Sequence, residues 1–364
     1  MKEILTPTIL LDWNKASQNM QRMLDKAAQN GLTLRPHLKT AQSVEIGRRI
    51  REMGVNAITV SSLEMAEYFA EDGWDDITVA FPINVREVGK IFRLSRKVAL
   101  NILIVNPESV DYLQEPFPGK VGVFIKIDVG THRTGLDPDD DEMIHKCLEK
   151  IEAAPSLSFK GFLAHAGHSY RSRTKKAILE VHQSSLKKLN ALRNKYIKQF
   201  PDLIIAPGDT PTCSVAKKWT GVDEIRPGNF IFYDLMQVEI GSCKMADIAV
   251  AMACPIVAKH ADRKEIVVYG GGIHLSKDRL EWKGKTIFGR PVLLKGNGWE
   301  MPDTTSYVRM ISQEHGVIKC SATLFKKLEV GGLVGILPVH SCMMADLMNG
   351  YLTTGGEFWG KMTK

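Results

Sequence analysis

Residues 121–128 read VGVFIKID, an alternation typical of a β-strand with one apolar face. One face of this strand carries Val121, Val123, Ile125 and Ile127, and the other carries Gly122, Phe124, Lys126 and Asp128. Residues 33–40, TLRPHLKT, repeat the pattern: Leu34, Pro36 and Leu38 share one face, and Arg35, His37 and Lys39 share the other. In both strands the polar face ends on ionisable side chains at the carboxyl end.

Apolar segments of this kind recur up to about residue 240 and alternate with amphipathic helices. The segments predicted as strands are 32–38, 57–61, 77–81, 98–104, 121–128, 159–165, 203–206 and 224–227. Eight alternating units predict an α/β fold, a (β/α)₈ barrel of the TIM type, with a doubly wound open sheet as the alternative. After residue 240 the pattern becomes rich in strands. We therefore expect a barrel over 13–240 and a mainly β domain over 241–364, joined by 1–12.

The composition of the 364 residues is that of a water-soluble globular protein, with 44% hydrophobic and 24% charged residues. The net charge of +7 is spread over helices that also carry Glu and Asp, so neither nucleic-acid nor membrane binding is predicted. No apolar run reaches the roughly 18 residues of a membrane span, and no secretory signal is apparent. The six cysteines have no disulfide-framework spacing. A cytoplasmic protein is expected.

Lys39 is the last residue of its strand, at the barrel end where enzymes of this fold have their active sites. Charged side chains inside a barrel are costly unless they have a partner or a function. One interpretation makes Lys39 and the other inward charges part of an active site. The alternative is an internal ion-pair network of Arg35, Lys39, Lys126 and Asp128 without chemistry.

The loops after the seventh and eighth strands suit a phosphate group. They read Pro207-Gly208-Asp209-Thr210-Pro211-Thr212 and Arg226-Pro227-Gly228-Asn229. Glycine allows the backbone to approach an anion closely, hydroxyl groups can donate, and a helix beginning near Pro211 would direct free N–H groups at it. Barrels often bind phosphate at these two loops. Ordinary Gly/Pro turns are the alternative.

His340 and Cys342 are two residues apart at the end of a predicted strand over 333–340. Alternate residues of a strand share a face, so an imidazole and a thiolate could bind one metal ion, with zinc the best match for these ligands. A chance His-x-Cys pair is the alternative, since only two ligands are visible.

Taken together, these motifs resemble the pyridoxal-phosphate enzymes with an alanine-racemase-like barrel (fold type III), and within them the D-threonine aldolase and D-serine dehydratase group. Arg35-Pro36-His37-x-Lys39-Thr40 resembles the motif whose lysine forms a Schiff base with the cofactor. The resemblance implies further roles: Arg133 at the phenolic oxygen of the cofactor, His165 stacked on its ring with Tyr170 close by, phosphate at Thr210, Gly228 and Asn229, and metal at His340 and Cys342.

This resemblance implies a lyase that depends on pyridoxal 5'-phosphate and a divalent metal, zinc or manganese, and acts on D-3-hydroxy amino acids. D-serine dehydration and D-threonine aldol cleavage both fit, and Cys342 favours dehydration. His315, in Ser312-Gln313-Glu314-His315-Gly316, is a candidate additional acid or base, with a surface histidine as the alternative. An amino-acid racemase and a non-catalytic pyridoxal-phosphate carrier are the other candidate functions. The resemblance also implies a homodimer.

Overall fold

The computed structural model describes residues 4–363, which form an α/β part followed by a mainly β part. The helices of the first part are α1 (Trp13–Gln29), α2 (Val44–Glu52), α3 (Leu63–Glu71), α4 (Val88–Leu94), α5 (Glu108–Asp111), α6 (Asp141–Ala153), α7 (Lys175–Tyr196), α8 (Thr210–Val215) and α9 (Leu235–Ile240). Strand β1 (Thr8–Leu11) precedes them, and eight further strands alternate with them: β2 (Thr33–Leu34), β3 (Ile58–Val60), β4 (Asp76–Pro82), β5 (Ala99–Ile104), β6 (Val121–Ile127), β7 (Leu157–Ala164), β8 (Ile204–Pro207) and β9 (Glu224–Ile225).

The eight strands β2 to β9 are parallel and follow one another in chain order. Strands β3 to β8 form a six-stranded sheet, and β2 pairs with β9 in a separate two-stranded sheet. Backbone hydrogen bonds connect the two sheets: the Leu38 N–H donates to the Thr59 carbonyl at 2.8 Å, the Thr59 N–H to the Pro36 carbonyl at 2.9 Å, and the Asp223 N–H to the Ile205 carbonyl at 3.1 Å. The predicted fold class is confirmed, and the curled arrangement rules out the open doubly wound sheet.

The first and eighth strands are much shorter than predicted. Strand β2 ends at Leu34 and β9 at Ile225, so Lys39 lies in a turn after β2 and not at the end of a strand. Both segments contain a proline, Pro36 or Pro227, which lacks the N–H that a continuous ladder requires. Backbone hydrogen bonds nevertheless join the two segments beyond the strands, as from the His37 N–H to the Pro227 carbonyl at 2.9 Å.

The second part is a mainly antiparallel sheet. Its strands are β10 (Val250–His260), β11 (Glu265–Tyr269), β12 (Leu280–Trp282), β13 (Lys285–Ile287), β14 (Gly289–Lys295), β15 (Gly298–Glu300), β16 (Tyr307–Ile311), β17 (His315–Lys319), β18 (Leu333–Pro338), β19 (Gly350–Thr353) and β20 (Phe358–Gly360), with helices α10 (Gly272–Leu275), α11 (Ala322–Lys327) and α12 (Ser341–Asp346). Strand β1 pairs with β10 and β19. The segment Thr8–Leu11 thus belongs to this sheet, and residues 1–3 of the predicted segment 1–12 lie outside the described residues.

Two apolar clusters lie on opposite faces of the curled parallel sheet. Val121, Val123, Ile125 and Ile127 of β6 belong to the main core, on the helix side, and each is at most 1% exposed. Phe124 points inward and packs with Leu103, Leu163 and Ala206. The alternation read from VGVFIKID is the observed one. Because side chains two residues further along a strand share its face, Lys126 and His165 follow Phe124 and Leu163 on the inward side.

No helix among residues 4–363 combines the length and the apolar character that crossing a membrane requires.

Candidate active site

A cavity of about 550 Å³ opens at the carboxyl ends of the parallel strands. It is lined by the predicted site residues His37, Lys39, Arg133, His165, Tyr170, Thr210, Gly228, Asn229, His340 and Cys342. These residues come from both parts of the chain, because the loop and helix after β18 lie over the ends of the barrel strands. A larger cavity of about 1150 Å³ lies against α7 and contains none of the predicted residues.

Lys39 projects into this cavity from the turn that follows β2. The turn is held by the Gln42 side-chain amide, which donates to the Lys39 carbonyl at 3.0 Å and to Asp346 at 2.9 Å. The surrounding protein disfavours the ammonium form and lowers the pKa of Lys39; Arg133 lowers it further, whereas the negative charge of Cys342 opposes the shift. A larger fraction of Lys39 is therefore the neutral amine, the nucleophilic form.

His165 follows β7 and is neutral. Its Nδ1–H donates to the Gly208 carbonyl at 2.5 Å, which fixes the orientation of the ring. Burial, followed by the charge of Lys39, lowers the pKa of His165 to about 3. Burial and Lys39 likewise lower the pKa of His37, and burial raises that of Tyr170. The cavity wall thus presents uncharged rings beside a reactive amine.

The loop after β8 is held by Asp209. This carboxylate caps α8, accepting from the Thr212 N–H at 2.8 Å, and it also accepts from the Ser169 hydroxyl at 2.8 Å. Burial raises the pKa of Asp209 to about 6, against the effect of these hydrogen bonds. The cap fixes the position of Thr210, the first residue of the helix.

Several polar atoms in the cavity wall are buried and lack a hydrogen-bond partner. They are Thr210 Oγ1, Asn229 Oδ1, and Nε and Nη1 of Arg226. The Thr210 hydroxyl and the Arg226 N–H groups are donors that an anionic ligand in the cavity could satisfy, whereas Asn229 Oδ1 can only accept. Gly228 also lines the cavity, and a Cβ added there would be 3.0 Å from the His37 carbonyl oxygen. This wall fits an anionic group such as phosphate.

Arg226 is a site residue that the sequence analysis did not select. Its guanidinium lies over the Phe124 ring at 5.1 Å and forms an ion pair with Glu224 through Nη2. Burial lowers the pKa of Arg226 to about 10, although Glu224 opposes the shift. The available signal was its position at the end of the last barrel strand, two residues after Glu224 and therefore on the same face of that strand.

The predicted internal ion-pair network is only partly present. Arg35 forms ion pairs with Asp76 at 2.6 Å and with Glu224 at 2.8 Å, below the cavity. The other members behave differently: Lys39 and Lys126 line the cavity, and Asp128 accepts hydrogen bonds from the backbone of Gly130 and Thr131. The observed ion pairs therefore join Arg35 to Asp76 and Glu224, neither of which belonged to the network considered from the sequence.

His340 and Cys342 are not on a strand. Strand β18 ends at Pro338, His340 immediately precedes α12, and Cys342 is in its first turn. The turn is fixed by Asp234, which accepts from the Ser341 N–H at 3.0 Å. Proline ends the ladder and the helix begins at once, so the two side chains meet through a helical turn instead of a strand face. The predicted strand placement was wrong, although both residues reach the cavity.

His340 and Cys342 interact with each other and with polar neighbours. His340 Nδ1 is 3.2 Å from Asp278, and Cys342 Sγ is 3.3 Å from Thr40 Oγ1 and 3.4 Å from Asn229 Nδ2. Burial disfavours the imidazolium, but hydrogen bonds to Asp278 and Cys342 outweigh it and raise the pKa of His340 to about 11. Burial is likewise outweighed at Cys342, whose pKa is lowered by His340.

An imidazole and a thiolate are donors that suit zinc and related divalent metals. Within residues 4–363 no group of three or more His, Cys, Asp or Glu side chains is arranged to hold a metal ion. His340 and Cys342 could therefore supply two ligands and leave the other coordination positions to small molecules. This arrangement fits a metal that binds a substrate better than a closed structural site.

His315 does not line the cavity. It is the first residue of β17, opposite Tyr269 of β11, and its side chain is exposed. The structure thus brings together all the predicted site residues of the barrel and the His-x-Cys pair, but not His315.

Two protein families match the chain. The alanine racemase N-terminal domain matches residues 11–235, and the D-serine dehydratase domain matches residues 249–354.

The curated relatives that match nearly the whole chain are named as dehydratases. D-serine dehydratase from Dictyostelium discoideum is 32% identical over 95% of this chain and 92% of its own length. D-threo-3-hydroxyaspartate dehydratase from Delftia sp. is 29% identical over 93% and 90%. A 3-hydroxy-D-aspartate aldolase from Paracoccus denitrificans is 30% identical, but over only 45% of this chain and 44% of its own.

The solved structures show the same fold. The Delftia dehydratase superposes with a TM-score of 0.90 at 24% identity, covering 100% of this chain and 99% of that one. A cysteine-to-alanine variant of the same enzyme, described as the metal-free form, superposes with a TM-score of 0.89 at 25% identity and covers 100% and 99%.

Proposed function

The chain belongs to the alanine racemase N-terminal domain family and carries a D-serine dehydratase domain, and from this premise we propose that it is a D-serine dehydratase. In this proposal the enzyme depends on pyridoxal 5'-phosphate and a divalent metal and converts D-serine to pyruvate and ammonia. The observation that carries the proposal is the meeting of Lys39 with His340 and Cys342 in one cavity. A barrel lysine alone would equally suit a racemase or a carrier.

We propose that Lys39 holds the cofactor as a Schiff base. Pyridoxal phosphate, when bound, supplies an electron sink for the breaking of a bond at the α-carbon of the substrate. Thr210, Gly228 and Asn229 would bind its phosphate, which is consistent with the unsatisfied Thr210 hydroxyl, a group that can donate to an anion. Arg133 would contact its phenolic oxygen, with His37 and Tyr170 completing the wall.

His165 suits the stacking role because of its protonation. Its pKa of about 3 and its bond to Gly208 keep the imidazole neutral and in one orientation. A neutral, fixed ring can pack against an aromatic ring without adding a charge to it.

After the substrate amine has displaced it, Lys39 is the proposed base that takes the α-proton at Nζ. Its lowered pKa favours the unprotonated amine that this step needs.

His340 and Cys342 would hold the metal, with zinc the best match to their donors and manganese the alternative. A bound divalent metal supplies a Lewis acid for the β-hydroxyl of the substrate. The contact of His340 Nδ1 with Asp278 leaves Nε2 as the metal donor, a common arrangement for metal-binding histidines. Asn229 and Thr40 orient the Cys342 thiolate from the other side.

Aldol cleavage of D-threonine is the second candidate, because an aldolase also needs the cofactor and a metal near the hydroxyl. Dehydration is favoured because the relatives that match the whole chain are named as dehydratases, whereas the aldolase relative matches less than half of it. We further propose a cytoplasmic homodimer and two domains that divide near residue 240.

The test is product analysis of the purified protein reconstituted with pyridoxal phosphate. D-serine and D-threonine are supplied with zinc, with manganese and with a chelator. We expect pyruvate from D-serine, lost on chelation, and no visible cofactor absorbance in Lys39→Ala. Lys198→Met, an exposed lysine outside the cavity, is the matched control and should behave like the parent. Glycine from D-threonine as the main product would select the aldolase, and L-serine formed without metal would select the racemase.

A further inference from the structure

Lys126 is a buried cation without a counter-ion. It lies on β6, two residues after Phe124, and therefore on the inward face, where it lines the cavity above the apolar floor. The residue is only 5% exposed. Within residues 4–363, the Lys126 ammonium group makes no hydrogen bond and no ion pair shorter than 4.0 Å.

The other buried cations of this barrel have acidic partners. Arg35 is paired with Asp76 and Glu224, and Arg226 is paired with Glu224. Lys126 instead faces further positive charge. Burial, then Arg133 and Lys39, lower the pKa of Lys126 to about 8, and Asp128 alone opposes this.

Asp128 cannot fully compensate the charge of Lys126, because its own hydrogen bonds are directed elsewhere. Its Oδ1 accepts from the Gly130 and Thr131 N–H groups at 2.8 Å, and its Oδ2 is 3.8 Å from His132 Nδ1. A buried cation that the protein leaves unpaired is costly, so an anion that arrives with a ligand would stabilise it.

The proposed function brings three anionic groups into the cavity. The cofactor phosphate is assigned to the loops after β8 and β9, where the Thr210 hydroxyl has no hydrogen-bond partner. The phenolic oxygen is assigned to Arg133. The α-carboxylate of the substrate is the anion that has no assigned partner.

The strand order agrees with this assignment. In the ring β2 to β9, strand β6 lies across from β2, which precedes Lys39. Cys342 is on the β2 and β9 side, in contact with Thr40 and Asn229. A 3-hydroxy amino acid bound beside Lys39 can therefore direct its hydroxyl towards Cys342 and its carboxylate towards Lys126.

We propose that Lys126 binds the α-carboxylate of the substrate and thereby restricts the enzyme to amino acids with a free carboxylate. This inference rests on the proposed function, since it requires a substrate attached to the cofactor in this cavity. It assigns Lys126 a binding role and leaves the proton transfer to Lys39.

The experiment removes each side of the contact separately. Lys126→Met removes the charge and keeps much of the side-chain length, Lys126→Arg keeps the charge, and the exposed Lys198→Met is the control. Each protein, reconstituted with pyridoxal phosphate, is titrated with D-serine and with D-serinamide, in which a neutral amide replaces the carboxylate. Spectral change of the bound cofactor reports binding, and steady-state kinetics report kcat and KM for D-serine.

The parent should bind D-serine more tightly than D-serinamide, and this preference should fall by about tenfold or more in Lys126→Met, as expected for loss of a charge-assisted hydrogen bond. Its KM for D-serine should rise more than kcat falls, and Lys126→Arg should recover part of the preference. Affinity for pyridoxal phosphate should stay within about twofold of the control.

Two results would overturn the assignment while leaving the proposed function intact. In the first, Lys126→Met keeps the parent's preference for the carboxylate. In the second, it loses the cofactor, which would place Lys126 at the cofactor instead. A parent protein that takes up no pyridoxal phosphate would instead reject the proposed function.

Discussion

At the residue scale, the contact between Asp278 and His340 is the feature that is easiest to test. Asp278 lies 3.2 Å from His340 Nδ1, and burial of that imidazole is outweighed by Asp278 and Cys342, which raise the pKa of His340 to about 11. A carboxylate on the far nitrogen of a metal-binding histidine fixes the ring and strengthens its donor atom. We therefore expect Asp278 to determine metal affinity without contacting the metal.

Asp278→Asn should weaken metal binding by about 10- to 100-fold, because the amide cannot support the imidazole as the carboxylate does. Metal content after dialysis against graded chelator concentrations measures this. Asp262→Asn is the matched control, since Asp262 also pairs with a cation, Arg263, but at the surface. Equal metal affinity in both variants would show that His340 does not bind the metal in the proposed way.

At the scale of elements, the N-terminal cap of helix α8 holds the loop that is proposed to bind phosphate. Asp209 caps this helix and also accepts from Ser169, which joins the loops after β7 and β8. Helix α6 has the same type of cap, in which Asp140 accepts from the Met143 N–H at 3.1 Å, but at an exposed position away from the cavity.

Asp209→Ala should lower both stability, by about 1 to 2 kcal/mol for the lost cap, and the affinity for pyridoxal phosphate. Asp140→Ala should cost a similar or smaller amount of stability and leave cofactor affinity unchanged. Thermal unfolding and cofactor titration separate the two effects. Parallel losses of cofactor affinity in both variants would mean that general destabilisation, and not the phosphate loop, is responsible.

At the scale of the whole molecule, strand β1 ties the start of the chain to its end. Leu11 is fully buried between β10 and β19, whereas Leu5, earlier in the same segment, is 81% exposed. The active site depends on the pairing of β1 with β10 and β19, because His340 and Cys342 reach the cavity from this same sheet.

Leu11→Ala should destabilise the protein by about 2 to 5 kcal/mol, the usual cost of truncating a fully buried leucine. Leu5→Ala, with the same chemical change at an exposed position, should alter stability by less than about 0.5 kcal/mol. Urea unfolding followed by fluorescence measures both. Near-equal midpoints for the two variants would contradict the placement of β1 in the core of the second sheet.

The sequence by itself determined the curled parallel sheet, the joining of the N-terminal segment to the β-rich part, and the residues at the barrel mouth. These features follow from local rules: alternation along a strand defines its inward face, and a residue at the carboxyl end of a barrel strand reaches the same cavity as its counterparts. The inward position of Lys126 could therefore be read from VGVFIKID.

Only the tertiary structure decided which partner each of these side chains has. The pairing of His340 with Asp278, the unsatisfied guanidinium of Arg226, the absence of an ion pair at Lys126 and the position of His315 outside the cavity depend on packing between distant segments. The periodicity of a single segment cannot predict such contacts, because they form between residues far apart in the chain where the loops of the β-rich sheet lie over the barrel. That the positive charge of Lys126 lacks an ion-pair partner can be seen only in the tertiary structure.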